Sequence, residues 1–285
     1  MRLTVLSSGS SGNAAYVEPT AGPGVLVDAG VSCRKLVKLL GLVGRSLDDV
    51  GALLLTHGHG DHTAGVPRLT RECGVPVYSA PGVGEELGAR LVEPEEALAL
   101  GALEAVFFEV PHDTPTYGLR ISDGETAAAI ATDLGEVPEA AMSRMRGVEA
   151  AVIEANHDED WLWGGSYPRE LKRRVASPVG HLSNAQAVGT ALALVPHGLK
   201  DLVLAHLSEK NNSPARACGT ARSVLRSAGH ADLRVRAAVA GRPTPWIEVG
   251  EPLAGREYVY RYTAGYEPSS RPSAAGAGDR LFEVE

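Results

Sequence analysis

The sequence is short of several things, and each shortage removes a class of protein. Three cysteines in 285 residues, Cys33, Cys73 and Cys218, are odd in number and form no CxxC pair, so neither a disulfide framework nor a thiolate metal site is expected. Any bound metal must therefore use nitrogen and oxygen ligands. No stretch approaches the roughly 18 apolar residues needed to cross a bilayer, and Arg2 leads directly into a strand-like segment without the architecture of a signal peptide. The expectation is a cytoplasmic protein with no membrane partner. Positive charge is scarce as well: 27 Lys and Arg against 35 Asp and Glu leave a formal net charge of −8. That balance disfavours broad nucleic-acid binding, whose affinity comes mainly from neutralising phosphates. It leaves room for a local basic track beside metal ions, which bring positive charge of their own.

What is present is an ordinary globular composition, 44% apolar, enough for one large domain or two small ones. Residues 3–6, 14–17 and 25–27 read as short strands separated by Gly, Ser, Asn and Pro, the pattern of an antiparallel meander. Ser32 caps an expected helix through Leu36, Leu39 and Leu40, and 51–55 is a continuous apolar run suited to a strand covered on both faces. Further strands are expected at 105–110, 117–121, 127–131, 150–153 and 201–204, and helices near 139–146, 168–176, 184–194 and 214–228. Strand meanders with helices between and outside them predict an α/β fold of four layers, an αβ/βα sandwich of two mixed sheets with outer helices. Residues 1–265 are expected to form one domain. The segment 266–285, rich in Pro, Ser, Ala and Gly, is read as a flexible tail.

The run Thr56-His57-Gly58-His59-Gly60-Asp61-His62 follows the buried strand 51–55 and places four possible metal ligands within six residues. Gly58 and Gly60 would leave the backbone free to turn those side chains toward a common point. His57 and His59 can then face one ion while Asp61 and His62 face a second. A dinuclear site needs more ligands than one loop supplies, and three stand just beyond other apolar runs: His112 after 105–110, Asp133 after 127–131 and His206 after 201–204. The expected assignment is His57, His59 and His112 on one ion, Asp61, His62 and His206 on the other, and Asp133 bridging. An all-N/O site suits Zn²⁺ and Mn²⁺ alike.

The HxHxDH loop, a later His, an Asp after an alanine-rich strand and a final His resemble the metallo-β-lactamase fold in its phosphodiesterase branch. Four further stretches are similar to the YycJ/WalJ family of bacterial exonucleases: Ser8-Gly9-Ser10-Ser11-Gly12-Asn13, Glu154-Ala155-Asn156-His157-Asp158, Gly180-His181-Leu182-Ser183-Asn184 and His206-Leu207-Ser208-Glu209-Lys210-Asn211-Asn212. The resemblance runs in order from the first strand to about Asn212. It implies a 5′→3′ exonuclease acting on DNA, linked to repair and leaning toward Mn²⁺. Related nucleases of this fold carry a non-ligand His in a similar place, so the resemblance gives His181 contact with the scissile phosphate or protonation of the leaving group.

The same stretches make Ser8, Ser10, Asn13, Asn156, His157, Ser183, Asn184, Lys210 and Asn212 candidates for holding substrate. Gly9 and Gly12 could form an anion-binding concavity, or the serines and Asn13 could simply bond one another. The segment 167–174 carries four basic residues and one acidic residue; it is the best site for a phosphate-backbone track, or else an exposed helix face. Trp161 and Trp163 could stack on bases or pack as a lid.

The expected chemistry is attack by a hydroxide bridging two ions, with Asp61 and His181 as the catalytic side chains. The same scaffold could serve a small-molecule phosphodiesterase, another hydrolase of this fold or a ribonuclease, and a metal-binding regulatory protein that has lost catalysis is the reading from a different class.

Overall fold

The computed structural model describes residues 1–251, so the expected tail at 266–285 and the end of the expected 1–265 domain lie outside the described residues. Two seven-stranded sheets are each antiparallel at one side and parallel at the other. The first begins with the meander β1 (Arg2–Ser7), β2 (Ala14–Glu18) and β3 (Gly24–Val27). It continues in parallel through β4 (Val50–Leu55), β5 (Val77–Ser79) and β6 (Arg90–Leu91). The second runs antiparallel through β7 (Ala97–Leu100), β8 (Leu103–Val110), β9 (Thr116–Ser122) and β10 (Ala127–Ala131). It then turns parallel through β11 (Ala150–Glu154), β12 (Asp201–Ala205) and β13 (Arg234–Ala237). The last strand, β14 (Ile247–Glu248), returns to pair with β1.

Period-two alternation explains the layers. Ala128 and Ile130 of β10, Val152 of β11 and Val203 of β12 join Leu26 and Leu53 of the first sheet in one core, while Ala127, Ala129, Ile153, Leu202 and Leu204 face a second core. That second core is filled by α4 (Glu139–Met145), α7 (Asn184–Leu194) and α8 (Pro214–Ser227). On the far side of the first sheet lie α1 (Cys33–Leu42) and α3 (Val66–Cys73), whose buried Leu36, Leu39, Leu40 and Leu69 join the first core. Helix, sheet, sheet, helix is the four-layer sandwich expected from the pattern. All five residues of β10, four of them alanine, are buried, so both faces of the strand are covered.

Every strand and helix expected from the sequence is present, with ends shifted by a residue or two. The elements not anticipated are short or bury little. β7 is an edge strand with no buried residue, α3 buries only Val66 and Leu69, and β13 is masked by Arg234 and Arg236. Among the described residues no helix is long and apolar enough to cross a membrane.

The consequence for function lies at one edge. β4, β8, β10, β11 and β12 all end there, and the backbones of Thr56 and His57 pair with Tyr117 and Thr116, stitching the two sheets together.

Candidate metal centre

Asp28, one residue past β3, fixes the exit of β4: its carboxylate accepts from the Thr56 amide at 2.9 Å and from the Thr56 hydroxyl at 2.8 Å. His57 is fully buried beyond that point. His59 then caps the single turn α2 (Gly60–Thr63), which carries Asp61 and His62. Gly58 and Gly60 are not in left-handed conformations, and a Cβ at either would meet nothing, which corrects the expectation that they free the turn. The glycine the loop needs is Gly30, where a Cβ would lie 1.5 Å from the Asp61 carbonyl oxygen. The Asn13 amide donates to that same oxygen at 2.8 Å, so the chain from Asn13 to Gly30 forms the floor under Asp61.

The second sheet delivers its side chains one strand at a time. His112 stands two residues beyond β8, its Nδ1 3.2 Å from the Gly180 carbonyl. Asp133 stands two residues beyond β10 with φ +61°, and His206 directly follows β12 with φ +53°. With Asp28 at φ +60°, three of the four left-handed non-glycine residues among those described belong to this edge. Such conformations cost free energy and persist where the surroundings over-determine them. Here the surroundings include the Ser8 hydroxyl, which accepts from the His206 amide at 2.7 Å.

Two buried carboxylates hold the imidazoles from behind. Asp28 Oδ2 is 2.7 Å from His62 Nδ1, and Glu154 Oε1 is 2.6 Å from His206 Nδ1 and 2.9 Å from His181 Nδ1. Glu154 Oε2 accepts from the Leu134 and Leu182 amides. A carboxylate at Nδ1 fixes the tautomer in which Nε2 is bare, the arrangement that metal-ligating histidines need. Neither acid was singled out from the sequence. The signal available was an acidic residue at the end of an apolar strand, the same signal that pointed to His112, and Glu154 already stood inside a quoted stretch.

Side-chain donor atoms that could hold a metal gather in groups: His57, His59 and His112; Asp61, His62 and His206; and His57, His62 and Asp133, the atoms of each group lying within 4.8 Å of one another. Asp133, Glu154, His181 and His206 form a further cluster. Among the described residues, His57 Nε2, Asp133 Oδ2 and His206 Nε2 are buried with no hydrogen-bond partner. Buried polar atoms are almost always satisfied. Three that are not, from three strands converging on one point, fit a bound cation, and the imidazole and carboxylate donors suit a divalent metal.

The electrostatics agree. Burial, with neighbouring His62 second, pushes His57 down to about 3 and keeps it neutral for ligation. Burial also works against charge on His62, but the Asp28 and Asp133 carboxylates outweigh it and raise it to about 10. His206 is raised well above its usual value against its own burial, chiefly by Asp133. His206 and His62 in turn hold the Asp133 carboxyl well below its usual value despite complete burial.

These residues open onto a cavity of about 270 Å³ lined by Ser10, His59, Asp61, His112, Asp133, His181 and His206. Its opposite wall comes from Leu171, Arg174 and Val175 of α6 (Arg169–Val175) and from Val179. Asp113 lies between the two walls: its Oδ1 is 3.4 Å from His59 Nε2 and 3.3 Å from His112 Nε2, and its Oδ2 accepts from Arg174.

Of the nine substrate-holding candidates, Ser10 lines this cavity and Lys210 is exposed, its ammonium 5.6 Å from the Tyr167 ring centroid. The other seven are buried. Asn13 bonds Gly9 and Asp61 and reaches His62 Nε2 at 2.9 Å; Asn156 donates to the His206 carbonyl; Asn184 and Asn212 exchange amide bonds at 3.1 and 2.8 Å. Ser8 bridges Asn13 and His206. Ser183 caps α7 in a capping box with Gln186, and His157 pairs its backbone with Ser183 while its Nδ1 has no partner. These seven side chains build the loops rather than face the cavity. Trp161 and Trp163, on α5 (Glu159–Gly164), are both exposed, Trp161 beneath the Arg216 guanidinium.

A sequence model of the β-lactamase superfamily domain matches residues 24–207. Exodeoxyribonuclease WalJ of Streptococcus pneumoniae is 32% identical over 225 residues, covering 74% of this chain and 83% of that protein. Exodeoxyribonuclease YycJ of Bacillus anthracis is 32% identical over 241 residues, covering 80% and 90%. Among solved structures, the metallo-β-lactamase fold protein YhfI of Bacillus subtilis superposes with a TM-score of 0.66 at 20% identity over 85% of this chain and 98% of its own.

Proposed function

Because this chain belongs to the β-lactamase superfamily, we propose that it is a dinuclear metal-dependent phosphodiesterase that removes nucleotides from the 5′ end of DNA. The observation that carries the metal is the convergence of the unpartnered His57 Nε2, Asp133 Oδ2 and His206 Nε2. The substrate rests on the 32% identity to two exodeoxyribonucleases over most of this chain. His57, His59 and His112 would hold one ion, Asp61, His62 and His206 the other, and Asp133 both. Zn²⁺ and Mn²⁺ both fit this donor set. When bound, such a pair supplies Lewis acidity toward a phosphoryl oxygen and lowers the pKa of water toward neutrality.

The protein's own side chains do the rest. Asp61 is more exposed than His62, Asp133 and His206 and lines the cavity, where its carboxylate would orient the nucleophile for in-line attack. His181 lines the same cavity with Nδ1 committed to Glu154, which leaves Nε2 to donate a proton to the departing 3′ oxygen. Glu154 outweighs the burial of His181 and raises its pKa, keeping that proton available near neutrality. We assign Ser10 and Lys210 to direct substrate contact. Ser8, Asn13, Asn156, His157, Ser183, Asn184 and Asn212 shape the loops behind the site.

Metal analysis of the purified protein, followed by assay on 5′-labelled DNA, RNA and bis(p-nitrophenyl) phosphate with Mn²⁺ or Zn²⁺, tests the reading. About two ions per chain and stepwise loss of nucleotides from DNA are expected. Hydrolysis of only the small ester would replace the substrate, and RNA degraded in preference to DNA would make it a ribonuclease.

A further inference from the structure

The wall facing the metal centre combines two unlike surfaces. Leu171 and Val179 are exposed aliphatic side chains, 37% and 48% accessible, and both line the cavity. Arg174 is the one Lys or Arg among the described residues that line it. The remaining charge there includes the carboxylates of Asp61, Asp113 and Asp133, so phosphates other than the one at the metals meet a repulsive surface unless a side-chain cation receives them.

The position of Arg174 is fixed relative to the site. The His181 amide donates to the Val175 carbonyl at 2.8 Å, and a Cβ at Gly180 would lie 2.2 Å from the Arg174 carbonyl oxygen, so the last turn of α6 packs directly on the His181 loop. Lys172 ties the start of α6 back to α5 by donating to the Trp163 and Gly165 carbonyls, both at 2.7 Å. The guanidinium itself is on the exposed side and bonds Asp113, whose other oxygen faces His59 and His112. Arg174 thus stands one carboxylate away from the imidazoles, beside the scissile position rather than at it. An ion pair with a largely exposed arginine is inexpensive to open, and a guanidinium fork binds phosphate with the same two-pronged geometry as carboxylate.

Resting on the reading of this chain as a DNA exonuclease, we propose that Arg174 recognises the 5′-terminal phosphate of the strand being digested while Leu171 and Val179 receive the sugar and base of the terminal nucleotide. Substrate exchanges the Asp113 carboxylate for the terminal phosphate on the same guanidinium. A cavity of about 270 Å³ is on the scale of one nucleotide, which suits release of single units.

The test compares kcat/KM on matched single-stranded DNA carrying a 5′-phosphate or a 5′-hydroxyl, for the wild-type protein, Arg174→Gln, Arg174→Lys and the pair Leu171→Ser with Val179→Ser, with metal content and thermal melting measured on each. The wild type is expected to prefer the phosphate. Arg174→Gln should reduce that preference about tenfold or more, with metal content unchanged, and Arg174→Lys should restore part of it. The serine pair should raise KM on both ends alike. An Arg174→Gln protein with the wild-type preference, or a wild type that digests both ends equally, would overturn the assignment while leaving the exonuclease reading intact. A serine pair with wild-type KM would remove the apolar wall from the proposal. A wild type that degrades no nucleic acid would overturn both readings.

Discussion

Strand β12 begins at Asp201 and ends against His206, and its two ends are wired in opposite ways. At the start, Asp201 is buried and fully served: Arg234 donates to both of its oxygens at 2.9 and 2.5 Å, and Arg236 lies 3.4 Å away. Its counterpart in the first sheet is Glu18 on β2, bound by Arg2 at 2.6 Å and by Arg45 at 2.6 and 2.7 Å. At the other end, Asp133, Asp61, Asp28 and Glu154 gather with no arginine among their hydrogen-bond partners in the described residues, facing histidines whose Nε2 atoms include two buried orphans. A buried carboxylate with guanidinium partners is completed structure. A group of carboxylates and bare imidazoles is a completed structure only with a cation added.

If that contrast is right, substitutions at the two ends should separate function from stability. The largest effect is expected at the site end, where Asp133→Asn removes the carboxylate proposed to serve both ions. It should cost at least about a thousandfold in turnover and lose metal measurable by elemental analysis. Full activity with two ions retained would remove Asp133 from the bridge.

Next come the residues tied to Glu154. His181→Ala is expected to lose roughly 10²- to 10⁴-fold in turnover with its metals in place. Glu154→Gln should weaken metal binding about 10- to 100-fold and slow turnover even at saturating metal, because the same carboxylate orients both His206 and His181. Asp28→Asn, which faces only His62 among these imidazoles, should weaken metal binding and leave saturated turnover near wild type. Equal behaviour of the two acid variants would erase the distinction.

At the other end, Asp201→Asn takes a charged partner from the buried Arg236 and the partly buried Arg234 and is expected to cost about 3 kcal/mol of stability, read as a fall in Tm, with wild-type metal content in the folded protein. The smallest effect is pH-dependent. Burial raises the Glu18 carboxyl, but Arg45 and Arg2 outweigh it and leave it below its usual value. A depressed carboxylate stabilises the fold above its unfolded pKa, near 4.5, and that stabilisation disappears as pH falls through the folded value. Melting curves of Glu18→Gln and wild type should therefore differ at pH 7 and converge as pH falls past the unfolded value and through the lower folded one. A constant gap would place the effect in packing.

The candidate site was unevenly legible for a topological reason. His57, His59, Asp61 and His62 occupy one loop, so spacing alone announced them. His112, Asp133 and His206 come from three loops, and only their shared place after apolar runs linked them. Asp28 and Glu154 carried the same mark but looked like ordinary strand-end acids, because nothing in their spacing says which histidine each one faces. The substrate candidates were legible as turns but not as contacts. Ser, Asn and Gly turns read as ligand-binding concavities or as self-bonded loops, and only the coordinates show Asn184 and Asn212 bonding each other and Asn13 bonding the Gly9 backbone and the Asp61 carboxylate.

By itself, the sequence determined the layered α/β sandwich and the donor chemistry of the centre, because strand periodicity and the HxHxDH spacing are local properties of the chain. Tertiary structure alone decided which carboxylate stands behind which imidazole, that Gly30 rather than Gly58 or Gly60 makes the close approach, and that Arg174 shares a cavity with the histidines. Those relations join residues tens to more than a hundred positions apart, and only the parallel strands that bring their ends to one edge make them neighbours.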